Sequence, residues 1–150
     1  MKNNVLISVV MPNYNGHRFV EQAINGVLNQ TYQNFELIVV DDCSKDDSLS
    51  LIEKKAQSDN RIRVIALEQN VGVANARNVG IKEAKGEYIA LLDNDDLWTE
   101  DKLERQLALA QKGADIVYCS YDFIDEENRS IKKPFVVPSQ TNFNKMLASS

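Results

Sequence analysis

At 150 residues the chain is long enough for one domain with a sizeable core, and its content of 43% apolar and 26% charged residues is ordinary for a globular protein. The net charge of -5 argues against a dedicated binder of nucleic acid or anionic membranes, because both need basic surface. Cys43, Cys119 and the single His17 match no zinc-binding spacing, and this cysteine usage predicts a reducing, cytoplasmic setting. No apolar run approaches the length of a transmembrane helix.

Short apolar runs, typical of buried strands, alternate with segments whose apolar residues repeat at helical spacing. In chain order, these patterns predict strands at residues 5–11, 35–40, 61–67, 87–92 and 115–119. A helix follows each of the first four strands: one at 19–28, one from Asp46 or Asp47 to Ala56, one at 73–84 ended by Gly86, and one capped by Thr99 and stopped by Gly113.

Strands that alternate with single helices predict parallel pairing through right-handed crossovers. The expected architecture is therefore a three-layer α/β/α sandwich with a mainly parallel central sheet. After Tyr121 the pattern changes to two extended pieces around a polar turn at residues 126–128, and a helix is predicted to begin at Thr141. Without repeats or a linker, residues 1–150 are expected to form a single domain that is cut off at its C-terminus.

Polar residues follow three of the predicted strands directly. The three segments are PNYNG at 12–16, DDCSKDD at 41–47 and DNDD at 93–96. Ligands of open parallel sheets bind beyond the carboxyl ends of the strands, so these segments are expected to surround one crevice. Neither the glycine fingerprint of dinucleotide-binding proteins nor a phosphate-binding P-loop is present.

The acidic segment DNDD favours a divalent cation. In extended chain, residues two apart point to the same side, so Asp93 and Asp95 are expected to face one ligand. Carboxylate oxygens suit Mg²⁺ or Mn²⁺, which keep waters and share the oxygens of a diphosphate. The alternative is a solvated loop that brings Asp95 or Asp96 near a helix N-terminus.

Three segments together resemble the family 2 glycosyltransferases with the GT-A fold. They are ISVVMPNYN, VVDDCSKDDS and NVGVANARNVGIKEAKGEYIALLDNDD, and the resemblance extends over about residues 5–145. The family transfers a sugar from a nucleotide-diphosphate sugar, usually UDP-linked, to an acceptor hydroxyl with inversion. The resemblance implies such an enzyme, with a saccharide or a lipid-linked saccharide as acceptor, in bacterial cell-surface polysaccharide synthesis in the cytoplasm or at the inner face of the membrane.

The resemblance also implies roles for residues on the nucleoside side of the site. Pro12 and Tyr14 match positions that flank the uracil, and Asp42 matches the acid that accepts a hydrogen bond from the base. Asp41 is expected to support Asp42 or to reach the ribose. Arg77 corresponds to a basic residue of the donor site, although a surface helix residue paired with Glu83 or Asp42 is the alternative.

On the diphosphate side, Asp93 fits the first acid of the D-x-D motif, near the ribose and the waters of the metal, and Asp95 fits the direct metal ligand. Asn94 is placed with the donor-binding residues, and Asp96 has no firm role. The catalytic base is expected beyond Ser150, so this chain alone is expected to bind a donor without transferring the sugar.

Two other functions stay open from the sequence. A non-catalytic module that binds nucleotide sugars would need the same cleft but no base. A sugar-phosphate nucleotidyltransferase would need a glycine-rich basic loop after the first strand, which PNYNG does not provide.

Overall fold

The computed structural model describes residues 4–138, which form a four-stranded parallel sheet with helices on both faces. The strand order is β3-β2-β1-β4. The strands are β1 (Ile7–Asn13), β2 (Phe35–Asp41), β3 (Ile62–Ala66) and β4 (Tyr88–Leu91), and the helices are α1 (Val20–Leu28), α2 (Ser48–Ser58), α3 (Val73–Glu83) and α4 (Lys102–Ala110). The predicted α/β architecture with a parallel central sheet is confirmed.

Two apolar layers hold the helices on the sheet. On one face, β1 and β2 pack against α1, α2 and α4, with Ile24, Ile52 and Leu103 buried among strand side chains. On the other face, α3 places Ala76 against Ile38 and its neighbours. Because a fully buried aliphatic side chain contributes about 1.5–3 kcal/mol, the two layers supply the main stabilisation of the fold.

The predicted fifth strand at residues 115–119 is wrong. The segment makes no ladder with the sheet, and the side chain of Ile116 is 70% exposed. A short apolar run gives only a local preference for extended chain, whereas a strand also needs a partner with which to exchange backbone hydrogen bonds. Among residues 4–138 the sheet therefore has four strands.

The predicted cap of α4 and the predicted glycine terminator of α3 are also wrong. Helix α4 begins after Asp101, and Thr99 instead donates from its hydroxyl to the Asp101 carboxylate over 2.9 Å. Helix α3 ends at Glu83, and Gly86 lies beyond it without a left-handed backbone. Gly86 is small for another reason, since a Cβ there would lie 2.5 Å from the backbone nitrogen of Ser8. Gly113, with φ +97°, does follow the end of α4 as predicted.

The two candidate capping acids of α2 have different positions and contacts. Asp47 occupies the N-cap position, but its side chain makes no capping hydrogen bond. The Asp46 carboxylate instead accepts the backbone N–H of Ser48 over 3.0 Å and that of His17 over 3.0 Å. Burial alone would raise the pKa of the Asp46 carboxyl. The hydrogen bonds that it accepts from the Ser48 hydroxyl and from the backbone N–H groups of His17 and Ser48 outweigh that effect and lower its pKa.

The segment after α4 contains two extended pieces joined by a turn, as predicted. Antiparallel bridges join Tyr121 to Phe135 and Ile124 to Ser130, and Asn128 in the turn has φ +61°. The helix predicted from Thr141 lies outside the described residues. Of the helices between residues 4 and 138, none combines the length and the apolar character that crossing a bilayer requires.

Candidate functional site

A cleft of about 390 Å³ opens at the carboxyl edge of the sheet. Because β1 has β2 on one side and β4 on the other, the chain crosses over β1 to continue the sheet, and the ends of these strands border one crevice. The cleft is lined by Pro12, Asn13, Tyr14, Asp42, Asn70, Gly72, Val73, Asp93, Asn94 and Asp95. Six of the eight candidate residues therefore line one cleft, and the other two are Asp41 and Arg77.

Asp42, the residue directly after β2, is a buried carboxylate that accepts hydrogen bonds from two backbone amides. Its oxygens accept the N–H of Val71 over 2.7 Å and the N–H of Gly72 over 2.9 Å. These amides immediately precede α3, and Gly72 adopts φ +85° to begin that helix. A carboxylate oxygen can accept more than one hydrogen bond, so Asp42 keeps acceptor capacity for a ligand.

Asp41 does not line the cleft. Its carboxylate accepts the side-chain amide of Asn13 over 2.7 Å, the hydroxyl of Ser44 over 2.6 Å and the backbone N–H of Ser44 over 3.0 Å. The side chain is 1% exposed. The geometry favours the supporting role among the two expected for Asp41, because its contacts organise the loop that follows β2.

The acidic segment forms a tight turn, so the expectation of extended chain is wrong. The N–H of Asp96 donates to the carbonyl of Asp93 over 3.1 Å, which closes a four-residue turn. Asp93 and Asp95 nevertheless both border the cleft. The turn, which Asn94 joins by a side-chain hydrogen bond to Asn13 at the end of β1, places both acids at the cleft without strand-like alternation.

Arg77 contacts Asp93 rather than Glu83 or Asp42. Its guanidinium lies 2.5 Å from a carboxylate oxygen of Asp93, whose side chain is 52% exposed. The Nε of Arg77 is buried without a hydrogen-bond partner in the described structure. Arg77 therefore ties the acidic turn to α3 and places a positive charge beside it.

The other two acids of the turn, Asp95 and Asp96, have no ion pair like the one between Asp93 and Arg77 among the described residues. Within residues 4–138 no hydrogen bond or ion pair reaches the carboxylate of Asp95. The pKa of Asp96 is raised by desolvation and then by the charges of Asp95 and Asp93, while Lys102 acts in the opposite direction. The turn thus concentrates negative charge at its Asp95 end.

Residues 4–138 contain no ready-made cluster of three metal-ligating side chains. The chemistry of the turn nevertheless fits a hard divalent cation, because Asp95 and the oxygen of Asp93 that does not face Arg77 supply carboxylate oxygens. Mg²⁺ and Mn²⁺ accept few protein ligands when waters and phosphate oxygens complete their shell. The residues present therefore suit a cation that arrives with a diphosphate.

The end of β1 and the loop after it supply an apolar and aromatic wall. Pro12 lies within β1, and the side chain of Tyr14 is 49% exposed at the cleft. Asn15, at φ +51°, accepts the N–H of Lys45 over 2.7 Å, which ties this loop to the one after β2. This hydrogen bond holds the loop that carries Tyr14, and the half-exposed ring can stack on a planar ligand.

Sequence reasoning missed four of the lining residues, namely Asn13, Asn70, Gly72 and Val73. Asn13 stands inside the PNYNG segment that drew attention to the strand end, and Asn70 to Val73 stand inside the NVGV that carried part of the resemblance. Asn70 donates to the backbone carbonyl of Asp42 over 3.1 Å. The position of these residues beside the acids was the available signal.

A parallel sheet with an acidic, partly aromatic cleft at its carboxyl edge defines an α/β protein with a ligand site at a switch point of the sheet. The family model Glycosyl transferase family 2 matches residues 8–148. The chain belongs to this family, and the resemblance in its sequence is confirmed.

Two curated relatives illustrate the match. The Escherichia coli enzyme WfgD, a UDP-Glc:alpha-D-GlcNAc-diphosphoundecaprenol beta-1,3-glucosyltransferase, is 39% identical over 97% of this chain and 56% of its own length. TuaG of Bacillus subtilis (strain 168), named for teichuronic acid biosynthesis, is 34% identical over 97% of this chain and 58% of its own length. The chain thus spans somewhat more than half the length of these two proteins.

Among solved structures, TarS of S. aureus has a similar fold. Its complex with UDP superposes with a TM-score of 0.65 at 34% identity, over 71% of this chain and 32% of TarS. A complex of TarS with UDP-GlcNAc gives a TM-score of 0.66 at 34% identity. These likenesses confirm the GT-A fold.

Proposed function

We propose that the cleft binds the UDP part of a sugar donor, within an inverting glycosyltransferase that moves the sugar to an acceptor hydroxyl. The observation that carries the proposal is the meeting of Tyr14, Asp42 and the acidic turn in one cleft at the carboxyl edge of the sheet. The similarity to TarS, which has been captured with UDP and with UDP-GlcNAc, supports the choice of nucleotide.

The nucleoside would lie between the loop after β1 and the end of β2. Pro12 and Tyr14 offer the apolar and aromatic surface against which a uracil ring packs. The Asp42 carboxylate can accept a further hydrogen bond in addition to those from its two backbone amide donors, and it would accept the imide N–H of the uracil. Asp41 would act indirectly, through the loop that it organises, and Asp93 would face the ribose.

The diphosphate would lie over the acidic turn, with Mg²⁺ or Mn²⁺ held by Asp95 and assisted by Asp93. When bound, such an ion neutralises the diphosphate and stabilises the charge on the departing UDP. Arg77 adds a fixed positive charge beside Asp93. Asn94 lies between Asp93 and Asp95 and joins the turn to Asn13 by a hydrogen bond. Without a cation, the crowded carboxylates would repel the diphosphate.

In the proposed reaction, the acceptor oxygen bonds to the anomeric carbon on the face opposite UDP. The bond from that carbon to the diphosphate oxygen breaks, UDP leaves with the electron pair, and the configuration inverts. A carboxylate base takes the proton of the acceptor hydroxyl. We assign no residue of the described chain to that base.

The names of the relatives suggest the wider setting. WfgD acts on a sugar linked to diphosphoundecaprenol, and TuaG is named for teichuronic acid biosynthesis. We therefore propose a saccharide or lipid-linked saccharide acceptor and a role in bacterial cell-surface polysaccharide synthesis, on the cytoplasmic side of the membrane.

Titration calorimetry with UDP tests the donor site. We expect binding with Mn²⁺ or Mg²⁺ and at least about tenfold weaker binding in a chelator, which corresponds to about 1.4 kcal/mol. Asp95→Asn should remove most of this metal-dependent gain. Asp115→Asn is the matched control, because it neutralises an exposed acid outside the cleft.

Two results would contradict the proposal. Metal-independent UDP binding that Asp95→Asn leaves unchanged would refute the role of the acidic turn, and no UDP binding under any condition would refute the donor site. Acceptor-dependent release of UDP from a UDP-sugar would separate a transferase from a module that only binds the nucleotide sugar.

A further inference from the structure

Asn13 is buried at the end of β1, where it contacts both neighbouring parts of the cleft. Its amide nitrogen lies 2.7 Å from the Asp41 carboxylate and 3.0 Å from the Ser48 hydroxyl, while its backbone carbonyl accepts the N–H of Asp42 over 2.7 Å. The side chain is 1% exposed. Asn13 is thereby fixed to the end of β2 and the start of α2.

The other side of the Asn13 amide reaches the acidic turn. Its oxygen accepts the side-chain amide of Asn94 over 2.7 Å. Asn94 stands between Asp93 and Asp95 in the chain, so this single bond ties the middle of the turn to β1. The only ion pair to the turn among the described residues is the one between Arg77 and Asp93.

Gly16 shows that this bond is closely packed. A Cβ on Gly16 would lie 2.2 Å from the oxygen of Asn13 and 2.2 Å from the nitrogen of Asn94, which are the two atoms that form the bond. Real Cβ contacts are essentially never so short. The backbone of Gly16 is outside the left-handed region, so space rather than conformation requires glycine here.

We propose that Asn13 is a positioning residue that holds the acidic turn, through Asn94 and over Gly16, in the place from which Asp95 serves the metal and diphosphate. The inference rests on the proposed function for its ligand. Asn13 touches no reacting atom in this scheme. Asn13 connects the part of the cleft that would hold the uracil to the part that would hold the diphosphate.

The substitution Gly16→Ala tests the proposal because it disturbs this bond while leaving both amides in the chain. We expect metal-dependent UDP affinity to fall at least about tenfold, whereas binding of uridine, which lacks the diphosphate, changes less than about threefold. Asn94→Ala should give a similar loss. The double variant should lose little more than either single variant, because both changes act on one contact.

Two alanine variants serve as controls. Gly26→Ala places its Cβ 3.8 Å from the backbone nitrogen of Trp98, an ordinary contact, and should leave affinity unchanged. Gly86→Ala places its Cβ 2.5 Å from the backbone nitrogen of Ser8, at the opposite end of the sheet. It should lower stability without changing the ratio of UDP affinity with metal to that without.

Hydrogen exchange provides a readout that does not depend on UDP. The N–H of Asp96 is bonded within the turn to the carbonyl of Asp93. Gly16→Ala should accelerate exchange of that N–H more than Gly86→Ala does. Unchanged exchange, or equal weakening of uridine and metal-dependent UDP binding, would overturn the positioning role, whereas failure of the unmodified protein to bind UDP would overturn the proposed function instead.

Discussion

Asp42→Asn should destabilise the folded protein even without a ligand. The Asp42 carboxylate accepts two amides, from Val71 and Gly72, and its side chain is 2% exposed. Asparagine is nearly the same size but keeps one acceptor oxygen and presents an NH₂ group to the second amide. One hydrogen bond to a charged group is therefore lost, and the other becomes a bond between neutral groups.

The expected loss of unfolding free energy is about 2 kcal/mol. A hydrogen bond to a charged group contributes about 1.5–3 kcal/mol and one between neutral groups about 0.5–1.5 kcal/mol, so replacing two of the first kind by one of the second costs about 2.5–4.5 kcal/mol. The expected loss lies somewhat below this range because Gly72 is exposed and water can solvate its amide after the change. For a chain of this size the melting temperature should fall by about 4–8 °C.

Urea unfolding followed by the fluorescence of Trp98 measures this loss. Asp93→Asn is the comparison, because its ion pair with Arg77 is half-exposed and should contribute at most about 1 kcal/mol. Losses of equal size for the two variants, or a loss below about 0.5 kcal/mol for Asp42→Asn, would refute the reasoning that the buried amide bonds of Asp42 stabilise the fold.

Two further substitutions test polar side chains that do not line the cleft. Gln30→Ala removes the side chain that donates to the carbonyl of Thr99 over 2.7 Å and accepts the N–H of Leu103 over 2.9 Å; it should cost about 1–3 kcal/mol and accelerate hydrogen exchange at Leu103, and unchanged exchange would contradict this. Asp96→Asn should stabilise the ligand-free protein at neutral pH, because the raised pKa of Asp96 means that its ionisation opposes folding. The advantage of the variant should be absent below the ordinary pKa of 3.8 and grow as the pH rises toward the raised value, and an advantage independent of pH in urea titrations would refute the assignment.

The apolar patterns predict the buried strands well because burial on both faces leaves a continuous run. In β1 every residue is buried, and β2 is nearly the same. Residues 116–119 form a similar continuous apolar run but no strand, since pairing depends on a partner that is distant in sequence. The local pattern therefore predicted the central strands correctly but added a fifth strand that the sheet does not contain.

The acids of the cleft were predictable for a related reason, since a strand end fixes where the residues after it lie. Their partners were not predictable. Asn13 and Gln30 are both 1% exposed, yet a polar residue carries no sequence signal that it will be buried. Their burial depends on carboxylates and amides contributed by distant segments, such as Asp41 for Asn13 and Leu103 for Gln30. Only the folded arrangement shows which polar groups satisfy one another.

The partners divide the five acids of the site into two groups. Asp41 and Asp42 have hydrogen-bond donors, and Asp93 has Arg77, so the folded chain itself offsets their charge. Asp95 has no such partner in the described chain, and the pKa of Asp96 is raised by burial and by the neighbouring carboxylates. The repulsion between carboxylates is therefore least compensated at Asp95 and Asp96. A cation at Asp95, where we propose it, would relieve that repulsion as it binds, and part of its affinity would come from strain that the fold already holds. We therefore expect Asp95, the carboxylate without a partner in the described chain, to be the acid of the turn that binds the cation.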